Sequence, residues 1–149
     1  MLFKNATFYH FTKSFELTLE ELQEKLEANF LQDIGSYESY KLGWDFSVPL
    51  SQTIVLENQG VMLLKLSKYE KVIPSAAVNT ALSEKVQEIQ TTQGRKVTRK
   101  ERNELKDAII QEHLPTALHK KTSTLLYIDL PNNMLVVNSA SNTACDEAT

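Results

Sequence analysis

The chain has 149 residues, of which 42% are hydrophobic and 23% charged, with a formal net charge of −3. That is the size and balance of one soluble domain able to bury a core without disulfides or metal. No apolar run approaches the ~20 residues of a membrane-spanning helix, and Met1-Leu2-Phe3-Lys4-Asn5 turns polar too early for a signal peptide, so a cytoplasmic place is expected. The single Cys145 can form neither an internal disulfide nor a zinc or redox pair and reads as a passive residue near a polar end. The acidic total restricts any surface for nucleic acid to a local patch.

Residues 2–11 are rich in aromatic and β-prone side chains, with Phe3, Tyr9 and Phe11 on one side and Leu2, Ala6 and Phe8 on the other, which predicts a strand covered on both faces. Thr18-Leu19-Glu20-Glu21 is a capping box, and Leu22, Leu26 and Phe30 after it predict a helix of about three turns with its leucine edge on the sheet and its glutamates in water. Gly35-Ser36 is expected to break that helix. Residues 37–45 form a strand candidate interrupted at Gly43, where the missing side chain suggests a bulge or a close backbone approach, and Trp44 is expected in the core rather than as a base-stacking residue. Residues 53–56 and 61–66 flank Glu57-Asn58-Gln59-Gly60 and read as a hairpin.

Residues 73–121 read as a helix, a basic elbow at Gly94-Arg95-Lys96, and a second helix. Pro74 suits a first helical turn, Val78, Leu82, Val86 and Ile89 make one apolar stripe, and Gly94 supplies a left-handed stop. Thr98-Arg99-Lys100-Glu101 is a second capping box. After Leu114-Pro115 the chain either breaks or makes a fresh helical turn through Leu118, and Lys120-Lys121 closes the excursion. Residues 124–130 and 134–138 form a second hairpin around Pro131-Asn132-Asn133, and beyond Ser139 no helix cap or closing strand is legible. The expectation is an α+β fold, with an antiparallel sheet body over about 1–72 and 122–141, a packed N-terminal helix and a projecting helical insert over about 73–121.

Within that insert Arg99, Arg102, Lys106 and His113 fall within about a sixth of a turn of one another at 100° per residue. Arg95, Lys96 and Lys100 stand at the entrance of the stripe and Lys120 and Lys121 at the far end. Cations on one rigid face can meet regularly spaced phosphates; the alternative is a solvated surface diluted by Glu101, Glu104 and Asp107. An enzyme is not expected, nor a cofactor. His10, His113 and His119 lack the spacing of two ligands on one helical turn, and there is no glycine-rich phosphate loop or nucleophile elbow. A metal-dependent nuclease would have to draw on Glu57, Glu70-Lys71 and Asp129, acids that also occur ordinarily at strand ends.

Gly35-Ser36, Lys41-Leu42-Gly43-Trp44, Glu70-Lys71-Val72-Ile73-Pro74-Ser75, Gln93-Gly94-Arg95-Lys96, Leu105-Lys106-Asp107, Leu114-Pro115 and Tyr127-Ile128-Asp129 together resemble, in order and spacing, the N-terminal half of the RdgC family of bacterial recombination-associated proteins. The resemblance implies an α+β fold, a positively charged surface for duplex DNA of any sequence, a functional link to the recombinase RecA, a ring-shaped homodimer and a nucleoid-associated place. It carries Arg95, Lys96 and Lys106 over as matching residues, with Arg99, Lys100 and Arg102 in a segment also basic in the family. An older description of the family as an exonuclease finds no carboxylate constellation here to support it. Since only half the family's length is matched, a monomer or weak dimer is expected, with pairing to full-length relatives or a purely structural role as the alternatives.

Overall fold

The computed structural model describes residues 5–149, with Asn142 described by its backbone alone. It is an α+β fold with a six-stranded antiparallel sheet and four helices among the described residues. The strands are β1 (Thr7–His10), β2 (Tyr40–Asp45), β3 (Leu56–Asn58), β4 (Val61–Lys71), β5 (His119–Asp129) and β6 (Met134–Val137), and the helices α1 (Leu19–Ala28), α2 (Ser75–Gln93), α3 (Arg99–His113) and α4 (Asn142–Ala148). The sheet order is β1-β6-β5-β4-β2, with β3 paired to β4. The chain divides into two compact units, one of Met1–Gln32, Lys41–Lys68 and Lys121–Thr149, the other of Asp33–Tyr40 and Tyr69–Lys120.

Both hairpins of the first unit follow from turn chemistry. Gln59 and Gly60 have φ of 52° and 82°, the two left-handed residues of a tight loop whose twist matches the strands it joins, and the Glu57 carboxylate accepts from the Gly60 N–H at 3.1 Å. In the β5–β6 turn Asp129 accepts from the Asn132 backbone and side-chain amides at 3.2 and 2.8 Å, and Asn133 takes φ 53°. Strand alternation then delivers Met62, Leu64, Leu66, Leu126, Ile128 and Val137 to one face, where they bury against Leu22 and Leu26 of α1 and Cys145 of α4.

Four local expectations change in this unit. Residues 2–4 of the first predicted strand lie outside the described residues, and β1 is covered on one face only: Tyr9 packs on the core while Phe8 is 57% exposed. Helix α1 does not run to Gly35. Asn29 stops it by bonding the Lys25 carbonyl at 3.0 Å, and the next residues turn alongside β2, with Leu31 N–H to Trp44 O at 2.8 Å and Trp44 N–H to Asn29 O at 3.0 Å. That pairing explains Gly43, since a Cβ there would lie 2.5 Å from Leu31 Cα; the close approach expected at this glycine is present. Beyond Ser139 the chain forms α4, capped by Ser141 Oγ accepting from Ala144 N–H at 3.4 Å. Ala148 packs against the core, and Cys145 is a buried core residue, not part of a polar end.

The second unit is built around α2 and α3. Val78, Leu82 and Ile109 are buried, with Ile73, Ala81, Val86, Leu105 and Ile110 packed around them. Pro74 occupies the position just before α2, and Gly94 ends it in the left-handed conformation at φ 62°, ψ 27°. Both bonds of the Thr98 capping box are made, Glu101 N–H to Thr98 Oγ1 at 3.2 Å and Thr98 N–H to Glu101 Oε2 at 2.8 Å. Leu114–Thr116 is a single 3-10 turn. β5 begins at His119, so Lys120 and Lys121 are strand residues, and just before them Val72 N–H bonds Leu118 O at 2.7 Å.

Candidate nucleic-acid interface

The elbow between α2 and α3 is held by an ion pair that also serves the helix cap. Arg95 Nη1 lies 2.8 Å from Glu101 Oε1, and its Nε donates to Gln93 Oε1 at 2.8 Å. The Arg95 guanidinium and the Thr98 N–H hold the Glu101 carboxyl down at about 2, while Glu101 raises the pKa of Arg95. Glu101 is therefore ionised at any ordinary pH, and the charge of Arg95 is largely offset where it stands.

Lys96, Arg99, Lys100, Arg102 and Lys106 are all exposed. Among the described residues none of these five side chains enters an ion pair or hydrogen bond. At about 100° per residue Lys100 falls between Glu104 and Asp107, whereas Arg99, Arg102 and Lys106 keep to an arc without a carboxylate. That arc is not the side of α3 away from α2. Ile109 and Ile110, which pack with α2, fall on either side of it, so the cations reach solvent from the margin of the packed face. From Arg99 to Lys106 the helix rises about 10 Å, a length that faces about three phosphates of one strand.

The two lysines at the far end of the predicted stripe differ. Lys120 is exposed. Lys121 is bound to Asp45, its Nζ 2.7 Å from Oδ2, in a polar cluster that sequence reasoning missed. Ser67 Oγ donates to the same carboxylate oxygen at 2.7 Å and lies 2.8 Å from Ser123 Oγ; Phe46 N–H donates to Oδ1 at 2.8 Å; Lys65 stands 3.9 Å away. Burial pushes the Asp45 carboxyl up, but Lys121, Ser67 and the Phe46 N–H outweigh it and the pKa lies below its ordinary value. The signal was in the sequence: Asp45, Ser67 and Ser123 are short polar residues at strand positions.

Two of the acids considered for metal chemistry have local structural roles. Glu57 and Asp129 hold hairpin turns, and Lys71 donates to the Leu114 carbonyl at 3.0 Å. Among the described residues no three His, Cys, Asp or Glu side chains are grouped so as to hold a metal ion. No described helix is long and apolar enough to cross a membrane.

The family described as "Putative exonuclease, RdgC" matches residues 1–149. The chain belongs to the RdgC family. Over 150 residues it is 37% identical to the recombination-associated protein RdgC of Tolumonas auensis and 35% identical to that of Aeromonas hydrophila subsp. hydrophila, covering 99% of this chain and 49% of each relative. The protein of the same name from Psychromonas ingrahamii is 33% identical over 148 residues. The chain thus spans about half the length of these family members.

Proposed function

We propose that this chain is a non-catalytic, sequence-tolerant duplex-DNA-binding module linked to recombination, in which Arg99, Arg102 and Lys106 with Lys96 neutralise phosphates and base edges are hardly read. The observation that carries this reading is that among the described residues those four cations have no partner, on and beside a capped helix, in a segment with six cations and two carboxylates between residues 95 and 106. Their relatives are named recombination-associated proteins, which supports the link to recombination. By the same resemblance the chain acts at the nucleoid in the cytoplasm, restrains RecA and pairs with a second copy or a longer relative. Arg95, Lys100 and Lys120 are secondary contacts. Lys121 contributes least, because Asp45 already compensates it.

The family description names an exonuclease, so the test has to separate binding from cleavage. Incubating end-labelled duplex with the protein and magnesium gives retention without shortening on the present reading. Shortening of the label establishes a nuclease, and absence of retention leaves a structural or protein-interaction role.

A further inference from the structure

The first unit contains an open-sided cavity of about 400 Å³ whose lining includes Trp44, Phe30, Leu66, Glu147 and the exposed Asn29 and Gln32, a volume in the ~300–1,000 Å³ range of small-ligand pockets. Trp44 is the chain's single tryptophan. Its ring is half-buried, and among the described residues its indole N–H has no hydrogen-bond partner. No buried side-chain nitrogen or oxygen among the described residues lacks a partner, so that N–H reaches open space. The other side chains add acceptor oxygens, though each amide keeps one free N–H. Asn29 and Gln32 donate an amide hydrogen to the Lys25 and Phe30 carbonyls at 3.0 and 3.1 Å, leaving their amide oxygens uncommitted. The Glu147 carboxylate takes Lys68 Nζ on one oxygen at 2.8 Å.

We infer that this cavity binds an amino-bearing nucleobase, with the base against the Trp44 indole and the two hydrogens of its exocyclic amine donated to oxygens drawn from Asn29, Gln32 and Glu147. An aromatic wall suits any planar heterocycle, but a wall rich in acceptors favours rings that present an N–H2 group, which adenine, cytosine and guanine have and thymine lacks. Among the described residues no lysine or arginine lines the cavity and Glu147 is already met by Lys68, so nothing there draws a phosphate and the base, not the backbone, is the occupant. This site lies apart in sequence from the α3 stripe and does not depend on the stripe's meeting DNA. The base can come from a free nucleoside or from an unpaired position in a strand.

Trp44 is its own reporter. Its fluorescence is titrated on the full chain with adenosine, thymidine, a DNA hairpin holding one unpaired adenine, and the fully paired hairpin, and labelled adenosine is followed in parallel by equilibrium dialysis. Saturable quenching by adenosine, at least five-fold tighter than by thymidine and at least five-fold weakened in Gln32→Ala at unchanged melting temperature, is the expected result. Saturation by the unpaired-adenine hairpin alone, lost in the same variant, supports the site with a strand as the source. Quenching that rises linearly and equally for adenosine and thymidine with no retention in dialysis overturns the inference, as does saturable binding that Gln32→Ala leaves unchanged.

Discussion

Replacing Gly43 by alanine tests the joint between α1 and the sheet. The new Cβ would stand 2.5 Å from Leu31 Cα and 2.6 Å from Leu31 N, both backbone atoms that cannot swing aside, so one strand has to shift. Overpacking of this kind costs about 1–3 kcal/mol. The shift also strains the two backbone bonds that tie residues 29–31 to Trp44, at 2.8 and 3.0 Å, each contributing about 0.5–1.5 kcal/mol. A loss of about 2–6 kcal/mol follows, or roughly 4–24 °C in Tm at the ~2–4 °C per kcal/mol of a chain this size. Gly43 is not at positive φ, so the whole effect is contact. The control is Gly94→Ala, at φ 62° with no heavy atom within 4 Å of the added Cβ, where only the left-handed backbone costs about 1–2 kcal/mol. Thermal unfolding followed by circular dichroism gives both values. If Gly43→Ala melts no lower than Gly94→Ala, the close approach of residues 29–31 to β2 is wrong.

Asp45 has a folded pKa below its ordinary value of about 3.9, so it contributes stability above that pH and loses it as pH falls through the folded value. Asp45→Asn should therefore melt lower than the parent at pH 7, and the two Tm curves should converge below about pH 4; parallel curves contradict the assignment. Lys121→Gln should leave the salt dependence of duplex binding unchanged, because its charge is already met by Asp45, and a drop of about 0.9 in the slope would return it to the interface. Trp44→Ala should cost about 2–3 kcal/mol, below the ~3–5 of a wholly buried aromatic because the residue packs against the core but is only partly buried. Chemical denaturation reads the difference, and a loss under 1 kcal/mol would remove Trp44 from the core margin.

What was legible in the sequence was local. Thr18 and Thr98 announce their helices because a hydroxyl and a glutamate three residues on satisfy each other's backbone donors, and Gly60 and Asn133 announce hairpins because few residues accept left-handed backbone. What depends on distant partners was not legible. Asn29 ends α1 where Gly35 looked the better stop, because the chain gains hydrogen bonds to β2. Residues 142–148 carry too few large apolar side chains to reveal a helix, yet Cys145 and Ala148 fit against a sheet that only tertiary structure supplies. In the candidate site the cationic stripe was visible at helical spacing, but two modifications were not. Arg95 is taken up by Glu101 six residues on, and Lys121 by Asp45 across the sheet. Charge counted along a chain does not say which charges meet.

The central claim is that Arg99, Arg102 and Lys106 contact phosphates, and the most direct measurement is the slope of log affinity against log salt for duplex DNA in the parent and in a variant with all three changed to glutamine. Glutamine keeps helix propensity, and the three side chains are exposed and among the described residues unpaired, so the melting curve should be unchanged. Each lost phosphate contact lowers the slope by about 0.9, and the triple variant should lose about 2.7, equally on unrelated duplexes. An unchanged slope in a normally folded variant would show that the α3 stripe is solvated surface and contradict the account.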